Sequence, residues 1–197
     1  MTDPATLLRA SAAVLQEMAR TQAGQVRTIG LVIAAALKAG RKILFCGNGG
    51  SAADAQHLAA ELLIRLRPAV NRRSLPAIAL AMDSSTLTAC GNDYGFGVHF
   101  ARMVEALGQP GDVLVGLSTS GNSPNLVAAL IAGRKAGLVM IGLLGSQGGN
   151  CLPCCDYAVL VPSTVIGRTQ EAHIAIGHAM MEIAEDAILE ADAAARG

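Results

Sequence analysis

The chain has 197 residues, 52% of them apolar and 15% charged, with 15 Lys+Arg against 15 Asp+Glu for a formal net charge of +0. That length suits one domain with a sizeable core. The neutral balance lacks the basic footprint of a nucleic-acid or acidic-membrane binder, and abundant Ala with a positive mean hydropathy points to helix surface hidden between subunits.

The N-terminal stretch MTDPATLLRASAAV carries Asp3 and no basic run ahead of an apolar core, so no secretory signal is expected. Residues Pro4 to Arg20 place Leu7, Leu8, Val14, Leu15 and Met18 at helical spacing, and Val26 to Leu37 repeats the pattern with Val26, Ile29, Val32, Ile33 and Leu37. With Gly24 and Gly40 as punctuation, residues 1–40 read as an N-terminal helical hairpin of a kind that packs on a neighbouring subunit. The most apolar helical run, Ile29 to Leu37, is too short to span a bilayer.

From residue 41 onward strand and helix alternate. Lys42 to Cys46, Ala77 to Leu80, Val113 to Leu117, Val139 to Leu143 and Tyr157 to Val161 read as short apolar strands. Helices are expected over Ser51 to about Leu66, Ser84 to Cys90, Val98 to Leu107, Ser123 to Ala136 and about Thr169 to Ala191. This alternation implies an α/β fold, a doubly wound five-stranded parallel sheet of flavodoxin-like order 2-1-3-4-5 covered on both faces. No break in composition divides the chain, so residues 1–197 read as one domain, with helices over 1–40 and an α/β core over 41–197.

Two loops carry unusual chemistry. Gly47-Asn48-Gly49-Gly50 ends the first strand in a tight turn, and Ser51 with Asp54 has the form of a capping box, so helix N–H groups should point into a glycine loop suited to an anion. Four residues apart on that helix, His57 and Glu61 share a face, and Glu61 among Leu58, Leu62 and Leu63 needs a partner. The third strand ends in Ser118-Thr119-Ser120-Gly121-Asn122-Ser123-Pro124, hydroxyl-rich, with Ser123 at a helix cap and Pro124 in the first helical position. In the expected strand order both loops border one switch-point crevice, where ligands of such sheets bind. Gly47-x-Gly49-x-x-Ala52 with Asp83 also fits a loose dinucleotide fingerprint, which would leave the hydroxyl loop unexplained; no Lys follows the glycines as a Walker loop requires.

On the last helix Gln170, Ile174, Gly177 and His178 fall near one face with His173 at its margin, while Glu182 to Asp186 reads as solvated charge. Cys46 and Cys90 read as reduced core thiols of a cytoplasmic protein. Cys151-x-x-Cys154-Cys155 lacks a second Cys/His pair at zinc-finger spacing and reads as a loop.

Together GNGGSAADAQHLAAE, Gly91-Asn92-Asp93, STSGNS and TQEAHIAIGH resemble the sedoheptulose-7-phosphate isomerases (phosphoheptose isomerases) of the sugar-isomerase, or SIS, domain family, over about residues 5–190. The resemblance implies that Asn48, Gly49, Gly50 and Ser51 contact substrate, that Ser118, Thr119, Ser120 and Ser123 hold its phosphate, and that Asn92, Asp93, Arg65 and Gln170 stand around the sugar. It implies Glu61 as catalytic acid/base with His178 as partner, a zinc ion on His57, Glu61, Gln170 and His178, and a homotetramer whose active sites draw on neighbouring subunits. The implied reaction converts sedoheptulose 7-phosphate to D-glycero-D-manno-heptose 7-phosphate through an enediol, for lipopolysaccharide or other heptose-containing glycans, with neither nucleic acid nor membrane as partner. The alternative is a non-catalytic relative of the same fold, such as the DnaA initiator-associating scaffold or a sugar-phosphate-sensing regulator; the presence of both Glu61 and His178 favours an enzyme. One departure is the segment Ser163 to Thr169, where Gly167 and Arg168 stand in place of an Asp that some relatives carry ahead of the glutamine, implying a different substrate preference.

Overall fold

Alternate side chains of the central strand enter two different cores. In the computed structural model, which describes residues 3–194, β1 (Ile43–Gly47) sends Ile43 and Phe45 to one side and Leu44 and Cys46 to the other. With β2 (Ala77–Ala79), β3 (Val113–Ser118), β4 (Val139–Gly145) and β5 (Tyr157–Val161) it forms one parallel sheet of order β2-β1-β3-β4-β5. Burial on both faces explains why these strands are continuously apolar rather than alternating. The expected doubly wound fold is therefore present.

Among the described residues seven α-helices cover the sheet: α1 (Pro4–Thr21), α2 (Ala23–Lys38), α3 (Gly50–Leu63), α4 (Ser84–Asp93), α5 (His99–Leu107), α6 (Pro124–Lys135) and α7 (Ile166–Ala194), with short 3-10 turns at Phe96–Val98 and Gly149–Cys154. Ile29, Ile33 and Leu37 of α2, Leu58 and Leu62 of α3, and Met180 and Ile188 of α7 fill one core. Phe100 and Val104 of α5 with Leu126 and Leu130 of α6 fill the other. Thus α3 and α6, which follow the two unusual loops, lie on opposite faces, as a switch point between β1 and β3 requires. Among the described residues no helix is long and apolar enough to cross a membrane.

The N-terminal pair is not a hairpin. Only Gln22 separates α1 from α2, and its backbone (φ −120, ψ −5) bends the chain without reversing it. Leu7 O of α1 accepts from Arg168 Nη1 at the start of α7, Met18 lines a groove with Ile176, and Gly30 of α2 lies against Met180 and Ile183. Both helices therefore follow α7 in the same sense. Gly24 sits inside α2 instead of punctuating the pair.

Two residues of α7 are more deeply placed than their sequence pattern indicates. Glu185 is 1% exposed, because Arg67 Nε and Arg72 Nε donate to its two carboxylate oxygens at 2.7 and 2.6 Å. His173 is also fully buried, facing the core instead of the edge of an active face, and neither ring nitrogen makes a well-formed hydrogen bond. Burial pushes its pKa down from 6.5 to about 4, with the Leu144 carbonyl opposing more weakly. The folded ring stays neutral while the unfolded one takes up a proton, so its contribution is intact above pH 6.5 and is lost as pH falls toward about 4. The total loss should be about 3 kcal/mol. His173→Leu should flatten that part of the stability curve, measured by denaturant unfolding at neutral pH and at about pH 4.5; an unchanged slope would contradict the assignment.

Candidate active site

The turn from β1 into α3 begins one residue earlier than the sequence suggests. Gly49 is the cap, at φ 56 and ψ −123, a backbone that an L side chain rarely adopts, and α3 starts at Gly50. No side chain caps this helix, so the expected Ser51/Asp54 capping box is absent. Ser51 is buried, and Asp54 turns one carboxylate oxygen into a site without a hydrogen-bond donor, where burial raises its pKa. The first N–H groups of α3 thus remain directed at the crevice.

Along α3, His57 Nε2 stands 3.0 Å from Glu61 Oε1. Leu58, on the buried side, meets α7 where Gly177 replaces a side chain: a Cβ there would lie 2.5 Å from Leu58 Cδ2. That missing Cβ allows α7 to approach closely enough to bring His178 Nε2 within 3.3 Å of His57 Nε2. Residues 121 positions apart in sequence therefore meet at one point. Ligand atoms of His57, Glu61 and His178 all lie within 4.8 Å of one another.

This trio suits a cation. A single N–H on His57 Nε2 can serve Glu61 or His178 but not both, whereas unprotonated His57 and His178 would aim two lone pairs and a carboxylate at the same space. Tetrahedral zinc with bonds of about 2.0–2.1 Å separates its ligands by about 3.3–3.4 Å, close to the 3.0 and 3.3 Å found here. Gln170 is placed elsewhere. A Cβ on Gly50 would lie 2.5 Å from Gln170 Nε2, so this amide sits against the glycine loop. It is eight residues, roughly 12 Å along the helix axis, from His178.

The hydroxyl loop at the end of β3 lies beside the glycine loop. Ser118 is buried and its Oγ accepts from Gly121 N at 3.0 Å, and Ser120 Oγ accepts from Asn122 N at 3.2 Å. Ser123 occupies the cap of α6 as expected, with Pro124 next, but its hydroxyl makes no capping bond and remains available together with the helix N-terminus. The far side of the loop is braced by the 3-10 turn that holds the cysteine motif: Cys151 N donates to Gly121 O at 2.8 Å and Asn150 N to Asn122 Oδ1 at 2.9 Å. All five cysteines are free thiols, with Cys46, Cys90 and Cys151 buried.

Other residues singled out from sequence lie apart from the trio in one protomer. Arg65 falls beyond the end of α3, exposed, and donates to Pro68 O at 3.1 Å. Asn92 and Asp93 are the last residues of α4, joined by a 2.8 Å bond, and Asp93 lines a separate cavity of about 320 Å³ with Tyr94, His99 and Arg102. Arg168 lies within α7 and bonds Glu171 and Leu7 O instead of facing the crevice. Asp83 caps α4 through Ser85 N at 2.8 Å, so it does not serve as a ribose acid.

The SIS domain profile matches residues 7–145 of this chain. The phosphoheptose isomerase of Chlorobaculum parvum is 54% identical over 176 residues, covering 89% of this chain and 84% of that protein. The chain belongs to the SIS-domain family, among its phosphoheptose isomerases. The solved phosphoheptose isomerase GmhA of Neisseria gonorrhoeae has a TM-score of 0.87 at 40% identity, covering 92% of this chain and 96% of that one. The phosphoheptose isomerase of Francisella tularensis has 0.88 at 34% identity, covering 92% and 95%. The SIS profile ends at Gly145, ahead of α7. A phosphoheptose isomerase alignment 176 residues long necessarily extends into that helix, which carries Gln170 and His178.

Sequence reasoning missed Asn125, Arg72 and Glu185. Asn125 is 2% exposed and pairs with Asn48 across the crevice. Arg72 donates to Glu61 O at 2.7 Å and Leu62 O at 3.0 Å, closing the end of α3 that carries Glu61. No motif or periodicity marks either contact, since both join distant parts of the chain.

Proposed function

We propose that this protein interconverts sedoheptulose 7-phosphate and D-glycero-D-manno-heptose 7-phosphate through an enediol. The observation that carries the reading is the meeting of Glu61 with His57 and His178 between α3 and α7. It lies about 12 Å down α7 from the glycine loop, so the trio and the two loops at the carboxyl edge of the sheet are read as coming together between subunits. In this reading the hydroxyls of Thr119, Ser120 and Ser123, with the buried Ser118 behind them, hold the phosphate at the start of α6. The glycine loop, Ser51 and Gln170 receive the sugar, and Arg65, Asn92 and Asp93 complete the site when neighbouring subunits supply them. Moving a carbonyl between C1 and C2 needs one group at carbon and one at oxygen. Glu61 removes a proton from one carbon and, after exchanging it with solvent, protonates the adjacent carbon, while His178 moves protons between the oxygens.

Zinc bound by His57, Glu61 and His178 would supply a Lewis acid toward the sugar oxygens. A carboxylate bound to metal would be a weaker base; the Glu61 that takes the proton is the one held by His57, as in the 3.0 Å pair seen here. Cobalt(II) added to the metal-free protein should give the intense visible absorption of a tetrahedral site, lost in His178→Ala. A weak spectrum like that of the hydrated ion would count against this ligand set.

An apolar surface suited to self-association supports the same reading. Leu7, Leu8 and Leu15 of α1 and Leu31 of α2 are exposed, and a groove of about 300 Å³ lined by Leu15, Met18, Val26, Ile176 and Ile183 opens between α1–α2 and α7. Covering this surface in a homotetramer accounts for it; light scattering should give the mass of four chains, and a monomer would contradict the assignment. Five free thiols suit a reducing, cytoplasmic compartment. The scaffold alternative has no observation in its favour, because the relatives reported above are enzymes and both Glu61 and His178 are in place. The direct test is conversion of sedoheptulose 7-phosphate by the purified protein; bound sugar phosphate without conversion would return the sensing or scaffold role.

A further inference from the structure

The helix that carries Glu61 brings no cap of its own. No glycine follows α3, its last turn holds no basic residue, and the cap residue Ile64 donates only to Ala60 O. An end of this kind leaves the next carbonyls, those of Glu61 and Leu62, in need of donors. Arg65 turns away to Pro68 O. Arg72, from the segment that returns to β2, supplies them instead: Nη2 donates to Glu61 O at 2.7 Å and Nη1 to Leu62 O at 3.0 Å. Leu62 O also accepts from Leu75 N at 3.1 Å, so the carbonyl of Glu61 depends most on Arg72. The same guanidinium donates through Nη1 to Arg73 O at 2.9 Å and through Nε to Glu185 Oε1 at 2.6 Å. Glu185 follows His178 by two turns of α7, roughly 10 Å along the axis and on the same face. Arg72 thus holds the main chain of Glu61 with one edge and the helix of His178 with the other.

We propose that Arg72 is a positioning residue for the reaction, a clamp that fixes the last turn of α3 against α7 and so sets Glu61 relative to His178. It acts through the backbone of Glu61, and its role rests on the isomerase reading of the trio. Leu58 against Gly177 and His57 beside His178 lock the two helices further up. Glu61 lies one turn nearer the free end of α3, where helices fray. A displacement of a reacting group by about 1 Å can cost on the order of 100-fold in rate. The clamp needs a guanidinium, because four of its five N–H groups serve acceptors on three segments of chain. A lysine keeps the charge beside Glu185 but gathers its donors on one nitrogen.

The test compares Arg72→Lys with Arg67→Ala in the full chain. Arg67 bonds the same Glu185 at 2.7 Å, and Asp186 at 2.6 Å, instead of the carbonyls of α3. Its removal therefore weakens the ion cluster and spares the clamp. The readouts are kcat and KM for sedoheptulose 7-phosphate, the denaturant midpoint, and hydrogen exchange over residues 58–66, at a temperature where each variant is folded. Arg72→Lys should lower kcat by about 10- to 100-fold, hold KM within about threefold, and speed exchange in the last turn of α3. Arg67→Ala should lower the midpoint and keep kcat within about twofold of the wild type. In the wild type the last turn of α3 should exchange as slowly as its middle, a result that needs no variant to fold. A frayed last turn in the wild type would overturn the clamp, and so would Arg72→Lys with kcat within about threefold of the wild type. Arg67→Ala losing as much kcat as Arg72→Lys would overturn it too, since activity would then follow stability alone. A wild-type protein without turnover would overturn the isomerase reading and this role of Arg72 with it; turnover with any of those three outcomes would overturn the clamp alone.

Discussion

Glu61→Gln is expected to lower kcat by about 10²- to 10⁴-fold, the usual contribution of a positioned acid–base group, with inorganic phosphate bound as in the wild type. The substitution keeps the size and planarity of the side chain, so α3 and its contacts with α7 are undisturbed. What it removes is the ability to take a proton from carbon. His57 and His178 remain in place but reach the site through imidazole nitrogens that already face each other at 3.3 Å. Neither substitutes for a carboxylate on that face. A loss smaller than about tenfold would exclude Glu61 as the base.

Glu185→Ala should be strongly destabilising, by about 3–5 kcal/mol, the range for removing one partner of a buried ion pair. The carboxylate is 1% exposed and takes bonds from Arg72 at 2.6 Å and Arg67 at 2.7 Å. Arg72 is itself 1% exposed at its side chain, and its guanidinium also serves the carbonyls of Glu61 and Leu62. Without Glu185 the Arg72 charge is buried unpaired, and the last turn of α3 loses the anchor that ties it to α7. Arg67 retains Asp186 at 2.6 Å and is partly solvated, so it adds less. The denaturant midpoint should fall accordingly, and a loss below about 1 kcal/mol would reduce the cluster to an ordinary surface pair. Because the same network holds the turn that carries Glu61, activity should fall together with stability.

Much of this architecture is legible in the residues because it depends on local chemistry. Apolar runs between glycine- and serine-rich loops suffice for the strand order, since parallel strands with right-handed crossovers leave few arrangements. His57 and Glu61 are one helical turn apart, so their pairing follows from spacing alone. Gly177 beside His178 was visible as part of a face, but only the packed helices show that the absent Cβ is what admits His178 to the site. The misreadings have a common physical origin. A single residue, Gln22, can bend a chain without reversing it, and the apolar spacing of α1 and α2 is the same in either arrangement. Ser51 and Asp54 match a capping pattern, yet Gly49 adopts the cap conformation and leaves them other roles. Glu185 looks like surface charge until Arg72, 113 positions away, is seen beside it. Asn125 pairs with a residue 77 positions earlier. Arg65 carries a helical phase that the chain abandons after Leu63, so it leaves the face on which Glu61 stands.

The most direct measurement is proton NMR of sedoheptulose 7-phosphate incubated with the protein in deuterated water, beside Glu61→Gln. The enediol account requires the aldose product to appear with solvent deuterium at the carbon that receives the proton, and both signals to vanish in the variant. Product free of deuterium would argue for a hydride shift in place of proton transfer through Glu61, and an unchanged ketose spectrum with the wild-type protein would contradict the isomerase itself.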